Sequence, residues 1–364
     1  MRIVFAGGGT GGHIYPALAI AGSLKEKVKD IEIVYIAGSK SMERDIVGKA
    51  GLRVETLPVV GMPRKLSPAL IGFSWKLGVS IVKSINVLRR LKPKAVVATG
   101  GYVSGPPLIA AKMLGIPALI QEQNSYPGIT NRKLGRYADM IFLGFSEAAK
   151  YFPANVETIH TGNPVRNSVG AGERTASAKV FGLDPEKKTV LVFGGSQGAR
   201  AINTVVAEIA KALATQGIQL IWQSGKNEFD QYSAFDDPTR GIRVLPYIED
   251  MASAYGASDM VVARAGAMSI SEITTCGLPV IFVPLPTAAG NHQEFNARSL
   301  VDAGAATMIL QRDLSGESLL KEIETLLHDA PLLNERAAAS KKYARENAAE
   351  NIADIIAEKY LHRN

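Results

Sequence analysis

The chain has 364 residues, 46% of them apolar, with 35 glycines and 18 prolines, which is too long for one ordinary domain and enough to fill two cores. A single cysteine, Cys276, rules out an internal disulfide framework and makes a reducing, intracellular setting the expectation. No apolar run reaches the roughly 18 residues of a membrane span, and a start that passes from a short strand straight into glycines does not read as a signal peptide. The net charge of +7 is uneven: residues 1–165 hold 21 Lys+Arg against 10 Asp+Glu, and the remainder 20 against 24. Between Glu55 and Glu122 nine basic residues occur and no acidic one. Such a stretch suits an anionic partner, whether nucleic acid, phospholipid or a diphosphate, or else is a solvated basic face.

The first strand, "RIVFA" (2–6), runs into "GGGTGGHIYPALAIA" (7–21), a glycine turn opening an alanine-rich helix. Strands follow at "IEIVYIA" (31–37) and "LRVETL" (52–57). A helix is expected from Ser67-Pro68, because proline suits the first helical position. Its core face would be Leu70, Phe73, Leu77, Ile81, Ile85 and Leu88. A second apolar stripe, Ile71, Trp75, Val79 and Val82, lies about 135° away on a helical wheel. Lys76, Lys83, Arg89 and Arg90 surround it, an arrangement that either packs on the domain or touches anionic lipid.

"KAVVAT" (94–99) then feeds a further glycine turn, "TGGYVSGPP" (99–107), and "PALIQE" (117–122) feeds "QEQNSYPGITNR". After "DMIFLG" (139–144), residues 160–188 are rich in Gly, Ser, Thr and charge and read as a linker. The second half repeats the plan, with "TVLVFGGSQGARAIN" (189–203) again joining strand, glycine turn and small-residue helix. Strands at "IQLIWQ", "IRVLPY", "DMVVAR", "PVIFVP" and "ATMIL" complete it, and "AAENIADIIAEKYLHRN" is an amphipathic last helix. Wholly apolar strands between helix-length segments imply two doubly wound parallel sheets. Cys276 is expected mid-helix, as a small buried hydrophobe.

Three glycine turns at strand ends let the backbone approach a ligand, and the helix starts that follow offer N–H groups to an anion. Gly7, Gly9 and Gly12 satisfy G-x-G-x-x-G, yet a dinucleotide site wants an acid closing the second strand. That strand ends in Gly38, Ser39 and Lys40; Lys40 or Arg44 could meet a phosphorylated ribose, but His13 takes the room a pyrophosphate needs. His13 itself, on the first helical turn, is a candidate proton acceptor. Glu122, Gln123 and Asn124 lie at a strand's carboxyl end, where open parallel sheets bind ligands. Glu272, one turn into a helix, could accept both hydroxyls of a ribose, and His292, Gln293 and Asn296 could read sugar hydroxyls. No cluster has metal-ligand spacing.

The ordered set "GGTGGHIYPALAIA", "TGGYVSGP", "QEQN", "TGNPVR", "GGSQGA", "RAGAMSISE" and "NHQEFNA" resembles glycosyltransferase family 28 over nearly the whole chain. The resemblance implies a GT-B fold, α/β, with two Rossmann-like domains separated by a cleft: 1–162 plus 343–364 for the acceptor and membrane, 163–342 for the donor. It implies transfer of N-acetylglucosamine from UDP-N-acetylglucosamine to the 4-hydroxyl of lipid I, with inversion and without a cofactor or metal. A diacylglycerol glycosyltransferase or a UDP-sugar 2-epimerase is the alternative. Such a transfer needs a base for the acceptor hydroxyl's proton, and His13 is the candidate, with Glu122 and Asn124 as helpers. Carried over by motif, Thr10, Gly11, Gly12, Asn124, Arg166, Ser196, Ile248, Gln293 and the run Ala267, Met268, Ser269, Ile270, Ser271 and Glu272 would bind the donor. Gly9, Gly100, Gly101 and Tyr102 would meet the acceptor diphosphate. Anionic inner-membrane phospholipids and other cell-wall synthesis proteins are the expected partners, nucleic acid is not, and the expected location is the cytoplasmic face of a bacterial membrane.

Overall fold

The structure is a computed structural model that describes residues 1–39, 41–59, 61, 69–165, 169–170, 172–195 and 197–361, without the side chains of 41, 42 and 69–71. Arg166, Ser196 and the Ser67-Pro68 helix start lie outside the described residues, as does the side chain of Ile71. The chain divides into two compact units, Met1–Val165 with Arg345–Asn364, and Arg166–Ala344.

Unit 1 carries a parallel sheet of β1 (Arg2–Gly7), β2 (Glu32–Ala37), β3 (Arg53–Thr56), β4 (Ala95–Gly100), β5 (Ala118–Glu122), β6 (Met140–Leu143) and β7 (Glu157–His160). Their spatial order is β3-β2-β1-β4-β5-β6-β7, reversing direction of travel between β1 and β4. The two-residue period of the strands sends alternate side chains to opposite cores. Ile3, Phe5 and Tyr35 pack under the helix Gly11–Lys27, while Val4, Ala6 and Ile36 face the opposite layer with Leu88, Leu108 and Ala111. Six of these strands coincide with apolar runs. β7 does not: "ETIH" is a short edge strand with exposed ends, so it lacks the apolar signature of its neighbours.

Two helices of unit 1 need comment. In Ala69–Leu91 the most deeply buried line is Ser80, Ser84, Leu88 and Leu91, whereas Leu77, Ile81 and Ile85 are only half-buried. The wheel-based core face is corrected accordingly: the helix lies beside Gly105–Met113, whose Ala110 and Ala111 are fully buried, and two serines allow that approach. On the other side Trp75 is 75% and Val82 58% exposed, with Lys76, Lys83 and Arg89 exposed around them. The C-terminal helix Ala348–Ile356 returns to unit 1 and buries Ile352, Ala353 and Ile356 against Ile14, Ala17 and Ile20. Each such isoleucine is worth about 1.5–3 kcal/mol. Lys359 also reaches Glu157 at 2.8 Å.

Unit 2 carries β8 (Thr189–Phe193), β9 (Gln219–Gln223), β10 (Ile242–Leu245), β11 (Met260–Ala263), β12 (Val280–Phe282) and β13 (Ala306–Met308), in parallel order β10-β9-β8-β11-β12-β13. Val190, Val192, Leu220 and Trp222 meet the helices Arg200–Thr215 and Gly316–His328 through Ile202, Val206, Leu319 and Ile323. Cys276 caps the C-terminal end of helix Ala267–Thr275 rather than sitting mid-helix; burial, and then neighbouring Glu272, push its thiol up to about 12. No helix among the described residues is long and apolar enough to cross a membrane.

Candidate functional site

In unit 1 two glycine-bearing strand ends, after β1 and β4, and the end of β5 converge on His13. The turn after β1 places Gly9 at φ +92°, and the turn after β4 places Gly100 and Gly101 at +109° and +77°. Only glycine serves at Gly100: a Cβ there would stand 2.8 Å from His13 Nδ1. The imidazole therefore lies on bare backbone. Its Nδ1 is 3.0 Å from the Thr99 carbonyl and 3.0 Å from Gln123 Oε1. The Gln123 amide is itself oriented, because its Nε2 donates to the Thr99 carbonyl at 2.7 Å and to the Gln121 carbonyl at 3.0 Å. The Thr99 carbonyl can only accept, so the hydrogen belongs on Nδ1, and Nε2 is the nitrogen with a lone pair to offer. Thr99 closes the arrangement by donating its hydroxyl to the His13 carbonyl at 2.7 Å.

Glu122 has a different place from that of a chemical helper. It is 1% exposed and saturated: Oε1 accepts from Asn124 N (2.8 Å) and Nδ2 (3.1 Å), Oε2 from Gly128 N (3.1 Å) and Asn131 Nδ2 (2.8 Å). Four donors organise the loop after β5 and hold Asn124, which remains half-buried at its mouth. Asn163 of "TGNP" braces the same strand end, accepting from Gln121 Nε2 at 3.1 Å and donating to the Gln123 carbonyl at 2.9 Å. Asn131 and Asn163 are positioning groups that the motif reading did not single out.

Gly9 requires a correction. Its N–H, expected to meet the acceptor diphosphate, already donates to Glu43 Oε1 at 2.6 Å. Gly100, Gly101 and half-buried Tyr102 stand in the neighbouring turn, with Tyr102 flanking Gly9. Thr10 is exposed and makes no side-chain cap; Gly11 and Gly12 open the helix next to it.

Unit 2 holds the other group of residues. Its turn after β8 uses Gly195 at φ +88° and Gly198 at +79°. Gln223 Nε2 donates to the Gly195 carbonyl at 2.9 Å, and Gln223 Oε1 accepts from Ile248 N at 2.8 Å. The backbone N–H of Ile248 is thus spent inside the unit, and its side chain is 3% exposed. In helix Ala267–Thr275, Ala267 and Ile270 are buried, whereas Met268, Ser269, Ser271 and Glu272 are half-buried. Ile270, 1% exposed, is core rather than lining. Tyr255 donates its hydroxyl to Glu272 Oε2 at 3.0 Å and fixes that carboxylate. Half-buried Gln293 accepts from Leu285 N at 3.0 Å, and Asn296, fully buried, donates to the Ala265 carbonyl at 3.3 Å. Buried Arg264, which sequence reasoning passed over, ties β11 to the end of β12 by donating to the Val283 and Pro284 carbonyls; burial lowers its pKa. Among the described residues no three His, Cys, Asp or Glu side chains are grouped to hold a metal ion.

Two Rossmann-like sheets, each with a glycine turn at the end of a strand inside the sheet, give the chain the GT-B fold. The chain belongs to glycosyltransferase family 28 and is a hexosyltransferase: residues 3–143 match the family's N-terminal domain and 189–352 its C-terminal domain. It is 41% identical to the UDP-N-acetylglucosamine–N-acetylmuramyl-(pentapeptide) pyrophosphoryl-undecaprenol N-acetylglucosamine transferase of Desulforudis audaxviator, over 98% of both chains. The enzyme of that name from Christiangramia forsetii is 42% identical over 98% of this chain and 97% of its own. Among solved structures, MurG of Acinetobacter baumannii superposes with a TM-score of 0.80 at 31% identity, covering 98% of this chain and 99% of that one.

Proposed function

We infer that the chain transfers N-acetylglucosamine from UDP-N-acetylglucosamine to the 4-hydroxyl of the N-acetylmuramoyl unit of lipid I, yielding lipid II for peptidoglycan. The observation that carries the mechanism is the His13 ring, whose Nδ1 faces two acceptors and whose Nε2 is left to take a proton. The donor sugar is α-linked and the product linkage β, so one in-line displacement inverts the anomeric carbon. The acceptor hydroxyl attacks through an oxocarbenium-like state while His13 Nε2 removes its proton. Glu122 positions Asn124, and Asn124 holds the donor sugar. Negative charge growing on UDP is met by the helix start after "GGSQGA" and by Arg166. Glu272, steadied by Tyr255, accepts the ribose hydroxyls, and Gln293 binds the sugar.

The acceptor's diphosphate is assigned to Gly100, Gly101 and Tyr102. Beside Tyr102 lies an apolar hollow of about 270 Å³ lined by Phe73, Leu77, Ile109, Ile129 and Leu134, with Lys133 at its edge, a surface suited to a lipid-linked substrate. Exposed Trp75 and Val82, ringed by Lys76, Lys83 and Arg89, support peripheral attachment to anionic phospholipid on the cytoplasmic face of the membrane. Arg90 contributes less, because Glu55 already pairs with it at 2.8 Å. Trp75→Glu is expected to weaken sedimentation with anionic vesicles while leaving turnover of a detergent-soluble acceptor intact; unchanged vesicle binding would remove the patch from the membrane.

The reaction is tested by supplying labelled UDP-N-acetylglucosamine and a short-chain lipid I analogue, with UDP-glucose as control donor. Transfer from the first donor alone is the expected result. Free sugar or an epimer in place of a disaccharide would retain the fold and discard the lipid acceptor.

A further inference from the structure

The first glycine turn contains an anion of its own. Glu43, on the first turn of helix Ser41–Lys49, is 0% exposed, and its two oxygens accept from Gly9 N and Gly38 N, each at 2.6 Å. Two other absences of a side chain make room for it. A Cβ on Gly8 would stand 2.7 Å from Glu43 Oε1, and one on Gly38 would stand 2.9 Å from Oε2. Gly8 and Gly38 are therefore fitted to a carboxylate of the same chain, and Gly9, the middle glycine of the G-x-G-x-x-G pattern, gives that carboxylate an N–H. Tyr35 walls the seat: burial, and then the negative Glu43, push its phenol far up, and its hydroxyl donates to the Gly7 carbonyl at 3.2 Å.

We propose that Glu43 is a built-in substitute for phosphate, seated where a dinucleotide-binding turn receives its pyrophosphate, and that it positions His13. The connection runs through backbone. Glu43 fixes Gly9, Gly9 leads into Thr10, and the Thr10 carbonyl accepts from His13 N at 3.2 Å. Across the turn, Gly8 N donates to the Gly100 carbonyl at 3.3 Å, holding the first turn against the glycine on which the imidazole rests. An occupied seat also excludes a phosphate from Gly9 and leaves the neighbouring turn of Gly100 and Gly101 to any diphosphate that unit 1 binds. The positioning role rests on His13 being the base. The occupied seat does not.

The test is Glu43→Ala in the full chain. Displacing a base by about 1 Å can cost on the order of 10²-fold, so kcat is expected to fall by about that factor, with KM for the sugar nucleotide unchanged. Formate should enter the vacated seat and recover turnover; formamide, with its amide in place of one oxygen, should not, and the parent protein should respond to neither. A second readout needs no turnover: formate should raise the melting temperature of Glu43→Ala and leave that of the parent unmoved. If the parent shows no transfer, the functional reading fails and the thermal readout still decides the seat. Glu43→Gln, which preserves volume but turns an NH₂ toward one of the two N–H donors, should lower kcat and keep KM, and covers the case in which the alanine variant does not fold. Undiminished kcat in Glu43→Gln, or a folded Glu43→Ala indifferent to formate, would overturn the proposal.

Discussion

The glycine turns after β1 and β8 follow one local plan, yet they are filled differently. Both follow a buried strand, both open a helix of small residues, and both contain glycine in the left-handed region. The turn in unit 1 closes on a charge, the Glu43 carboxylate between Gly9 N and Gly38 N. The turn in unit 2 closes on neutral groups: Gln223 donates to the Gly195 carbonyl, and Gly198 lies directly against the carbonyl of Ser224. Among its described residues no carboxylate accepts from a backbone N–H. A glycine turn is thus a backbone shape with outward N–H groups, and tertiary neighbours decide whether the anion it receives is internal or a ligand. On this reading the first turn supports a catalytic base and the second retains its capacity for the donor's phosphates.

The largest expected effect tests that division of labour. His13→Ala should lower kcat by about 10²–10⁴, the usual worth of a general base, while calorimetric affinity for UDP stays at the parental value. Near-parental turnover would place the base elsewhere and dissolve the contrast between the turns. Next comes Glu272→Ala in unit 2. A hydrogen bond to a charged group contributes about 1.5–3 kcal/mol, so KM for the sugar nucleotide should rise about 10- to 100-fold with kcat little changed. Lost kcat at constant KM would move Glu272 from holding the ribose into the chemistry.

Much of this architecture is legible in the sequence, and for a physical reason. Strands covered on both faces must be apolar throughout, so the inner strands announce themselves, and edge β3 is read with them because Leu52, Val54 and Leu57 give "LRVETL" an apolar alternation. β7 is hidden because this edge strand is short and "ETIH" offers one strongly apolar residue, Ile159, to mark it. Helix Ala69–Leu91 is legible as a helix but not in its buried line, since a wheel ranks Leu and Ile above Ser, and packing beside helix Gly105–Met113 reverses the ranking. The site shows the same limit. His13, Glu122 and Gln123 stand out as polar residues at strand ends, but nothing local says that Glu122 would spend its carboxylate on its own loop or that Gln123 would aim Oε1 at Nδ1. Glu43 was invisible for a simpler reason: it is 34 residues from Gly9, and only the packing of helix Ser41–Lys49 brings them together.

The smallest changes in structure, one methyl group added to each turn, separate the two kinds of closure most directly. At Gly198 a Cβ would fall 2.0 Å from the Ser224 carbonyl oxygen, with φ at +79°, so both backbone strain and a backbone clash oppose alanine. Strain of this kind costs about 1–3 kcal/mol, and each kcal/mol lowers Tm by about 2–4 °C in a domain of this size. Gly198→Ala should therefore lower the unfolding transition of unit 2 by roughly 2–12 °C. At Gly8 the backbone already suits alanine, and the obstruction is the end of a side chain, the Glu43 carboxylate. A side chain can swing where a carbonyl cannot. Gly8→Ala should accordingly shift Tm less than Gly198→Ala while reproducing the turnover defect of Glu43→Ala, because both changes empty the same seat. Matched thermal losses with turnover intact in Gly8→Ala would mean that the methyl is absorbed without disturbing Glu43, and the two turns would then differ in what occupies them but not in what that occupant does.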